Sequence, residues 1–219
     1  MEAFDKGLSL GADGVELDVR FSRDATVVVH HDETLDRTTS LRGRVDARTS
    51  AELARAGVPS LDDVLARHRD ARVIVELKLD EPELARAAVD VVRRAGAVER
   101  VCFGSFGARV LRAARTLEPA VATSASYEEV RWALYRSWFR WPRWAAPRVD
   151  YGGYQVPESA GGTRVVSQRF VRAAHNAGLQ VQVWTVDKVD DGRRLLEWGV
   201  DALITDRPDV MVPLCRTLR

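Results

Sequence analysis

Short β-branched segments alternate with amphipathic segments along nearly the whole chain, and this alternation constrains the fold more than any other feature of the sequence. The pattern is typical of a parallel β-sheet covered by helices. It predicts seven strands, at residues 15–19, 73–77, 100–103, 120–123, 151–156, 181–184 and 202–204. It predicts helices at residues 3–10, 61–68, 82–94, 108–117, 127–138, 168–177 and 191–198, and one more at the C-terminus.

An N-terminal helix followed by seven strand-led units predicts an α/β fold of the TIM (β/α)8 barrel type that lacks its first β-strand. We expect one domain over residues 1–219, incomplete at its N-terminus, because this length suits one domain better than two. A doubly wound open sheet is the competing architecture. The chain has no GxGxxG turn, however, and the number of strands favours the barrel.

Overall charge and cysteine content limit the classes of partner. Lys and Arg number 33 and Asp and Glu 32, so the net charge of +1 provides no basic field for nucleic acid. Cys102 and Cys215 lack metal-ligand spacing, which predicts buried free thiols in a reducing compartment. No signal peptide opens the sequence and no apolar run approaches the roughly 18 residues of a spanning helix. We therefore expect a cytoplasmic protein.

Two predicted strands carry charged side chains on one face. Since the side-chain period of a strand is two, Glu16 and Asp18 share a face, and so do Glu76 and Lys78 at the end of the next strand. Buried carboxylates need a cation, a basic partner or water. An all-oxygen set without Cys or His suits Mg²⁺ or Ca²⁺ rather than zinc. The competing interpretation is that these carboxylates pair with arginines at the rim of a barrel.

Adjacent histidines follow the strand-like segment at residues 26–30. Neighbouring strand residues point to opposite sides, so at most one of His30 and His31 faces the same site as the carboxylates. A histidine is well suited to proton transfer near neutral pH, although a lone histidine at a strand end is more often structural.

Five segments, in this order and spacing, resemble the signature of the glycerophosphodiester phosphodiesterase family, in its short bacterial form without an inserted domain. They are GADGVELDV (11–19), HD with LDRTT (31–39), ELK (76–78), VWTVD (183–187) and ITDRP (204–208). The resemblance implies metal-dependent hydrolysis of a small glycerophosphodiester to glycerol 3-phosphate and an alcohol.

The resemblance also implies roles for individual residues. Glu16, Asp18 and Glu76 would bind one divalent ion, Mg²⁺ or Ca²⁺, and Lys78 would lie beside the phosphate. His31 would be one of two acid/base histidines, with His30 pointing away. Trp184 would line the glycerol side of the pocket or, with equal weight, pack in the core.

The N-terminus departs from the family pattern. Family members open with a His-Arg-Gly strand that supplies the other histidine and an arginine, whereas here the sequence begins at the following helix, with Met1. We expect the chain from Met1 to Arg219 to be nearly inactive. The alternatives to glycerophosphodiester hydrolysis are a non-catalytic or truncated metal- or ligand-binding pseudoenzyme of the same fold and a lysophospholipase D-like enzyme.

The segment from Trp132 to Trp144 contains four of the six tryptophans, interspersed with arginines. Trp and Arg together suit peripheral contact with a membrane or a lid over a lipid-like substrate. The alternative is a helix that packs on the barrel and ends in a proline-broken loop. The sequence does not predict an oligomeric state.

Overall fold

The computed structural model describes residues 1–138 and 149–218. The chain forms two compact units, the first comprising Met1–Phe4 with Asp13–Ala122 and the second comprising Asp5–Ala12 with Thr123–Arg219. The expectation of one domain over residues 1–219 stays a prediction.

The first unit is built on a sheet of order β2-β1-β3-β4-β5. Strands β1 and β3 are parallel, as are β3 and β4, whereas β2 runs antiparallel to β1. The strands are β1 (Gly14–Phe21), β2 (Val27–Val29), β3 (Arg72–Leu77), β4 (Val101–Gly104) and β5 (Ala122–Thr123), in which the boundary between the units falls. The helices are α1 (Glu2–Ser9), which also crosses the boundary, α2 (Ser50–Arg55), α3 (Leu61–Arg67), α4 (Pro82–Arg94) and α5 (Ala108–Leu117).

One face of this sheet packs against helices. Leu17 and Val19 of β1 and Val75 and Leu77 of β3 are at most 2% exposed and belong to one hydrophobic cluster with Leu84 of α4. Because side chains alternate along a strand, Asp18 and Glu76, which lie between these residues, point to the other face. The core of the first unit therefore determines the direction of the candidate site residues.

A small separate core holds the long segment between β2 and α3. Leu35, Val45 and Leu53 are buried together with Val28 and Val58. Burial of these side chains stabilises a segment that has little regular structure of its own, and it fixes the chain on both sides of the polar residues in that segment.

The second unit contains a parallel three-stranded sheet of order β10-β9-β6 and a short hairpin. The strands are β6 (Gly153–Pro157), β7 (Ser159–Ala160), β8 (Thr163–Arg164), β9 (Gln180–Trp184) and β10 (Ala202–Leu203). The helices are α6 (Tyr127–Trp138), α7 (Gln168–Asn176), α8 (Val189–Glu197) and α9 (Pro208–Leu218). Val156, Val181 and Val183 pack with Phe170 of α7 and Leu195 of α8.

The predicted strands and helices are present, with bounds shifted by at most two residues. Helix α2 and the β7–β8 hairpin were not predicted. Cys102 and Cys215 are both half-buried, so the expectation of buried thiols was wrong in the extent of burial. None of the helices in the described part of the chain is both long enough and apolar enough to cross a bilayer.

Candidate active site

The site begins with two carboxylates on neighbouring strands. In the parallel pairing of β1 and β3, Asp18 lies opposite Glu76, between the buried pairs Leu17–Val75 and Val19–Leu77. Side chains at directly opposed positions of a sheet point to the same face and lie close together. The first unit therefore places Asp18 and Glu76 next to each other on the face that is not covered by α4.

Lys78 adds a positive charge to this pair. Its Nζ lies 2.8 Å from Oδ1 of Asp18, and both side chains are 17% exposed. The backbone N–H of Lys78 donates to the carbonyl of Val19 at 3.3 Å, which holds the residue at the end of β3. Asp18 thus has a charged partner in a largely desolvated position, as a carboxylate in such a place requires.

Glu76 is in a different electrostatic situation. Its Oε1 is buried and has no hydrogen-bond partner within the part of the chain that the structure describes. Burial raises the pKa of Glu76 to about 7; the positive charge of Lys78 acts in the opposite direction, and the negative charge of Asp18 raises the pKa further. The ammonium group of Lys78 is paired with Asp18, so the position of Glu76 favours either a proton or a bound cation.

Glu16 lies further back along the same face of β1. It is opposite Ile74, one pair before Asp18 on that face, and is half-buried. Within residues 1–138 and 149–218, no group of three or more His, Cys, Asp or Glu side chains is close enough to hold a metal ion. Of the three predicted ligands, Asp18 and Glu76 therefore form one close pair, and Glu16 lies further along the same face.

His31 lies at the end of the β2 ladder. The backbone N–H of His30 donates to the carbonyl of Asp18 at 2.9 Å, and Nε of Arg20 donates to the carbonyl of His31 at 3.1 Å. Arg20 follows Asp18 by two residues and so extends the same face of β1. These bonds fix the backbone of His31 at the end of β1 that follows Asp18.

The ring of His31 is held from one side. Its Nδ1 lies 2.7 Å from Oδ1 of Asp32, and Arg37 donates to both oxygens of that carboxylate, at 2.7 and 3.1 Å. The hydrogen bonds from Arg37 and His31 hold the pKa of Asp32 well below its usual range. Asp32 is thus an anion that orients the imidazole of His31 through Nδ1. The His31 side chain is 64% exposed.

His30 is buried, and its Nε2 lies 3.1 Å from the carbonyl of Thr34. The two histidines therefore occupy contrasting environments: His30 fixes the start of the long loop, while the side chain of His31 is exposed. The functional roles predicted for the two residues stay predictions.

Trp184 belongs to the second unit. It ends β9, lies opposite Pro157 of β6, and is half-buried. This position at the carboxyl end of a parallel strand is where barrel enzymes carry their binding residues. Its contact with a substrate stays a prediction.

Sequence reasoning missed Arg20 and the partnership of Asp32 with Arg37. Arg20 was detectable, because it continues the period of two that groups Glu16 with Asp18. The contacts of Asp32 depend on how the loop folds, for which the sequence carries no periodic signal.

Comparison with known proteins decides the family. The pattern of the glycerophosphoryl diester phosphodiesterase family matches residues 1–210. The chain belongs to this family. A probable glycerophosphodiester phosphodiesterase of Mycobacterium tuberculosis is 36% identical over 96% of this chain and 82% of its own length. A glycerophosphodiester phosphodiesterase of Caldanaerobacter subterraneus is 28% identical over 98% of this chain and 90% of its own length.

Solved structures agree with this assignment. The glycerophosphodiester phosphodiesterase of Agrobacterium tumefaciens has a TM-score of 0.73 and 28% identity, with 95% of this chain and 90% of that chain covered. A phosphodiesterase of Oleispira antarctica, crystallised with the product sn-glycerol-3-phosphate, has a TM-score of 0.77 over 98% of this chain and 89% of that chain, and its 23% identity bears on the fold alone. The predicted fold class, a TIM-barrel type of α/β fold, is confirmed, since it is the fold of the glycerophosphoryl diester phosphodiesterase family.

Proposed function

We propose that this protein hydrolyses glycerophosphodiesters to glycerol 3-phosphate and an alcohol, with one divalent cation held by Asp18 and Glu76 together with Glu16. The observation that carries the proposal is the pair of adjacent carboxylates at opposed positions of β1 and β3, one of which has a buried oxygen without a hydrogen-bond partner among the described residues. Family membership and the product bound to the Oleispira antarctica enzyme support the substrate class.

The donor set fits a hard divalent cation. Glu76 Oε1 is a buried acceptor that no group in residues 1–138 and 149–218 satisfies, and Asp18 lies next to Glu76. Carboxylate oxygens are the preferred ligands of Mg²⁺ and Ca²⁺, and Mg²⁺ is often held by only one or two carboxylates together with substrate phosphate. When bound, such a cation polarises phosphoryl oxygens and neutralises their charge.

Lys78 is the next contributor in this proposal. Its ammonium group lies beside Asp18, so it contributes a positive charge on the same face of the sheet as the carboxylates. A fixed cation at this place attracts the negatively charged diester and stabilises the additional charge that develops on the phosphoryl oxygens.

His31 moves a proton. With Nδ1 bound to Asp32, its Nε2 is the nitrogen that exchanges a proton with the attacking or the leaving oxygen. The nucleophile is the neighbouring glycerol hydroxyl or a water molecule. Arg20 and Asp32 position the histidine through its backbone and its ring, respectively.

The test is hydrolysis of glycerophosphocholine and glycerophosphoethanolamine, measured as released glycerol 3-phosphate, by the protein together with any native residues that precede Met1 in its gene. His31→Ala should lower kcat by about 10² to 10⁴. His30→Ala is the matched control; it should lower the melting temperature while the kcat of the folded protein changes much less.

Two outcomes would contradict this assignment. One is a folded, cation-bound protein that hydrolyses no glycerophosphodiester, and the other is a larger loss of kcat for His30→Ala than for His31→Ala. Lysophosphatidylcholine is assayed in parallel, and faster turnover of this lipid than of glycerophosphocholine would favour a lysophospholipase D-like activity instead.

A further inference from the structure

Helix α6 carries its large aromatic side chains on the solvent side. Tyr127, Trp132 and Tyr135 are 54%, 67% and 44% exposed. The opposite side of the helix, which includes Ala133 and Leu134, packs against the hydrophobic core of the second unit. Amphipathic helices normally place polar residues on their solvent side, so an exposed aromatic group of this kind indicates an interaction surface.

Positive charge accompanies these aromatic residues. Residues four positions apart lie on one helical face, so Arg131 lies between Tyr127 and Tyr135, and its guanidinium is 5.7 Å from the ring centroid of Tyr127. The acidic residue on this face is Glu128, while the carboxylate of Glu129 accepts a hydrogen bond from the backbone of Ser126. We call Tyr127, Glu128, Arg131, Trp132 and Tyr135 the α6 face.

The sequence around the α6 face is strongly cationic in a chain whose net charge is only +1. From residue 131 to residue 148 there are five arginines and no Asp or Glu. The arginines beyond residue 138 lie outside the described residues and are not part of the α6 face. The C-terminal part of the predicted membrane contact from Trp132 to Trp144 also lies outside the described residues. In the sequence, these arginines continue the positive charge beyond α6.

We propose that the α6 face docks on an anionic lipid surface. Tyrosine and tryptophan suit the boundary between headgroups and acyl chains, because one part of each ring system is apolar and the other is polar. Arg131 lies where it meets anionic headgroups while its aliphatic part stays against the aromatic rings. The combination of aromatic residues with arginine is that of a helix that lies in the plane of an interface.

The available area argues against a second copy of the chain as the occupant. A fully buried aromatic side chain covers about 150 to 250 Å². The exposed fractions of the three rings therefore provide at most about 400 Å², whereas a stable interface buries about 800 Å² on each partner. Shallow insertion into a lipid surface needs no such area, because headgroup charge adds to the apolar contribution.

The proposal goes beyond the catalytic assignment, since none of the predicted site residues lies on the α6 face. Its test is flotation of the purified protein with vesicles of phosphatidylcholine alone or mixed with phosphatidylglycerol. We expect binding to the mixed vesicles that weakens as salt is added. Trp132→Ser should weaken that binding roughly tenfold, and Arg131→Gln should weaken it roughly fivefold.

Matched controls remove an exposed aromatic ring and an exposed arginine elsewhere in the chain. Phe106 is 59% exposed in the first unit, and Arg86 is exposed on α4. Phe106→Ser and Arg86→Gln should bind the mixed vesicles as the wild type does. Circular dichroism and the melting temperature of each variant verify its fold, and all four substitutions are at exposed positions.

Several results would overturn the proposal. They are no binding to mixed vesicles, equal binding to both vesicle compositions, and binding that Trp132→Ser leaves unchanged. A wild-type dimer in light scattering that Trp132→Ser converts to a monomer would show that the occupant is a second copy instead.

Discussion

Glu76 is a carboxyl group whose protonation is governed by burial at the end of a strand. Its pKa of about 7 in the folded protein exceeds the ordinary value of 4.5. At pH values between 4.5 and about 7, the folded state therefore holds a proton on Glu76 that the unfolded state has lost. The contribution of this proton to the free energy of unfolding is fully present below about pH 4.5 and is lost as pH rises through about 7.

We predict that, in EDTA, Glu76→Gln is more stable than the wild type above pH 7. The difference should be at most on the order of 3 kcal/mol in the free energy of unfolding and should vanish toward pH 4.5. Urea unfolding at a series of pH values measures it. Glu83→Gln, an exposed change on α4, should leave the pH dependence unchanged. A wild type that gains stability relative to Glu76→Gln as pH rises would refute this account.

Asp32 is the residue through which His31 is oriented. We predict that Asp32→Asn lowers kcat, but by less than His31→Ala, because an amide oxygen can still accept a hydrogen bond from Nδ1 and only the charge of the carboxylate is lost. The measurement is the pH profile of kcat for both variants. If Asp32→Asn changed only the melting temperature and left the profile of kcat in place, Asp32 would have a structural role alone.

Single residues differ in how well the sequence predicts them. The period of two correctly places Asp18 and Glu76 on one face, because the buried residues between them must face the helices. The contact between Lys78 and Asp18 depends on side-chain torsions, and the partners of Asp32 depend on a loop. Neither is encoded in a repeating pattern.

Helix α2 was missed although the sequence carries a signal for its start. Thr49 accepts a hydrogen bond from the N–H of Glu52, and the carboxylate of Glu52 accepts one from the N–H of Thr49. This Thr-x-x-Glu capping box precedes only six helical residues, too few to show a helical hydrophobic period. Its buried contact, Leu53, belongs to the small core of the long loop.

We predict that Thr49→Ala lowers the free energy of unfolding by about 1 kcal/mol, since it removes a cap from a helix that anchors the loop containing His31 and Asp32. Thr49→Ser is the matched control, because it keeps the hydroxyl and should stay within about 0.5 kcal/mol of the wild type. Chemical unfolding of both variants measures the effect. Equal losses for Ala and Ser would show that the methyl group matters and the cap does not.

At the scale of the whole chain, the order of the main strands and helices was predictable because most of them leave a periodic signal of several residues. The β7–β8 hairpin was not, since each of its strands has two residues and both are exposed. The predicted set of three metal ligands depends on how side chains approach one another across the sheet. In the strand register, Asp18 lies directly opposite Glu76, whereas Glu16 lies opposite Ile74 and so further from Glu76.

Cation binding links the site to the stability of the whole chain. A ligand that binds only the folded state stabilises it, by about 2.7 kcal/mol at a concentration a hundred times its Kd. We predict that Mg²⁺ or Ca²⁺ raises the melting temperature of the wild type after treatment with EDTA. Glu76→Gln should abolish this rise, because it replaces the buried ionisable oxygen by a neutral amide, whereas Glu83→Gln should keep it. Differential scanning fluorimetry near pH 8, where Glu76 is ionised in the folded state, measures the shift.

Calorimetric titration with Mg²⁺ then separates a bound cation from a general effect of ionic strength. Equal shifts for the wild type and Glu76→Gln would place any bound cation away from Glu76 and would remove the support that the buried carboxylate gives to a metal-dependent reaction.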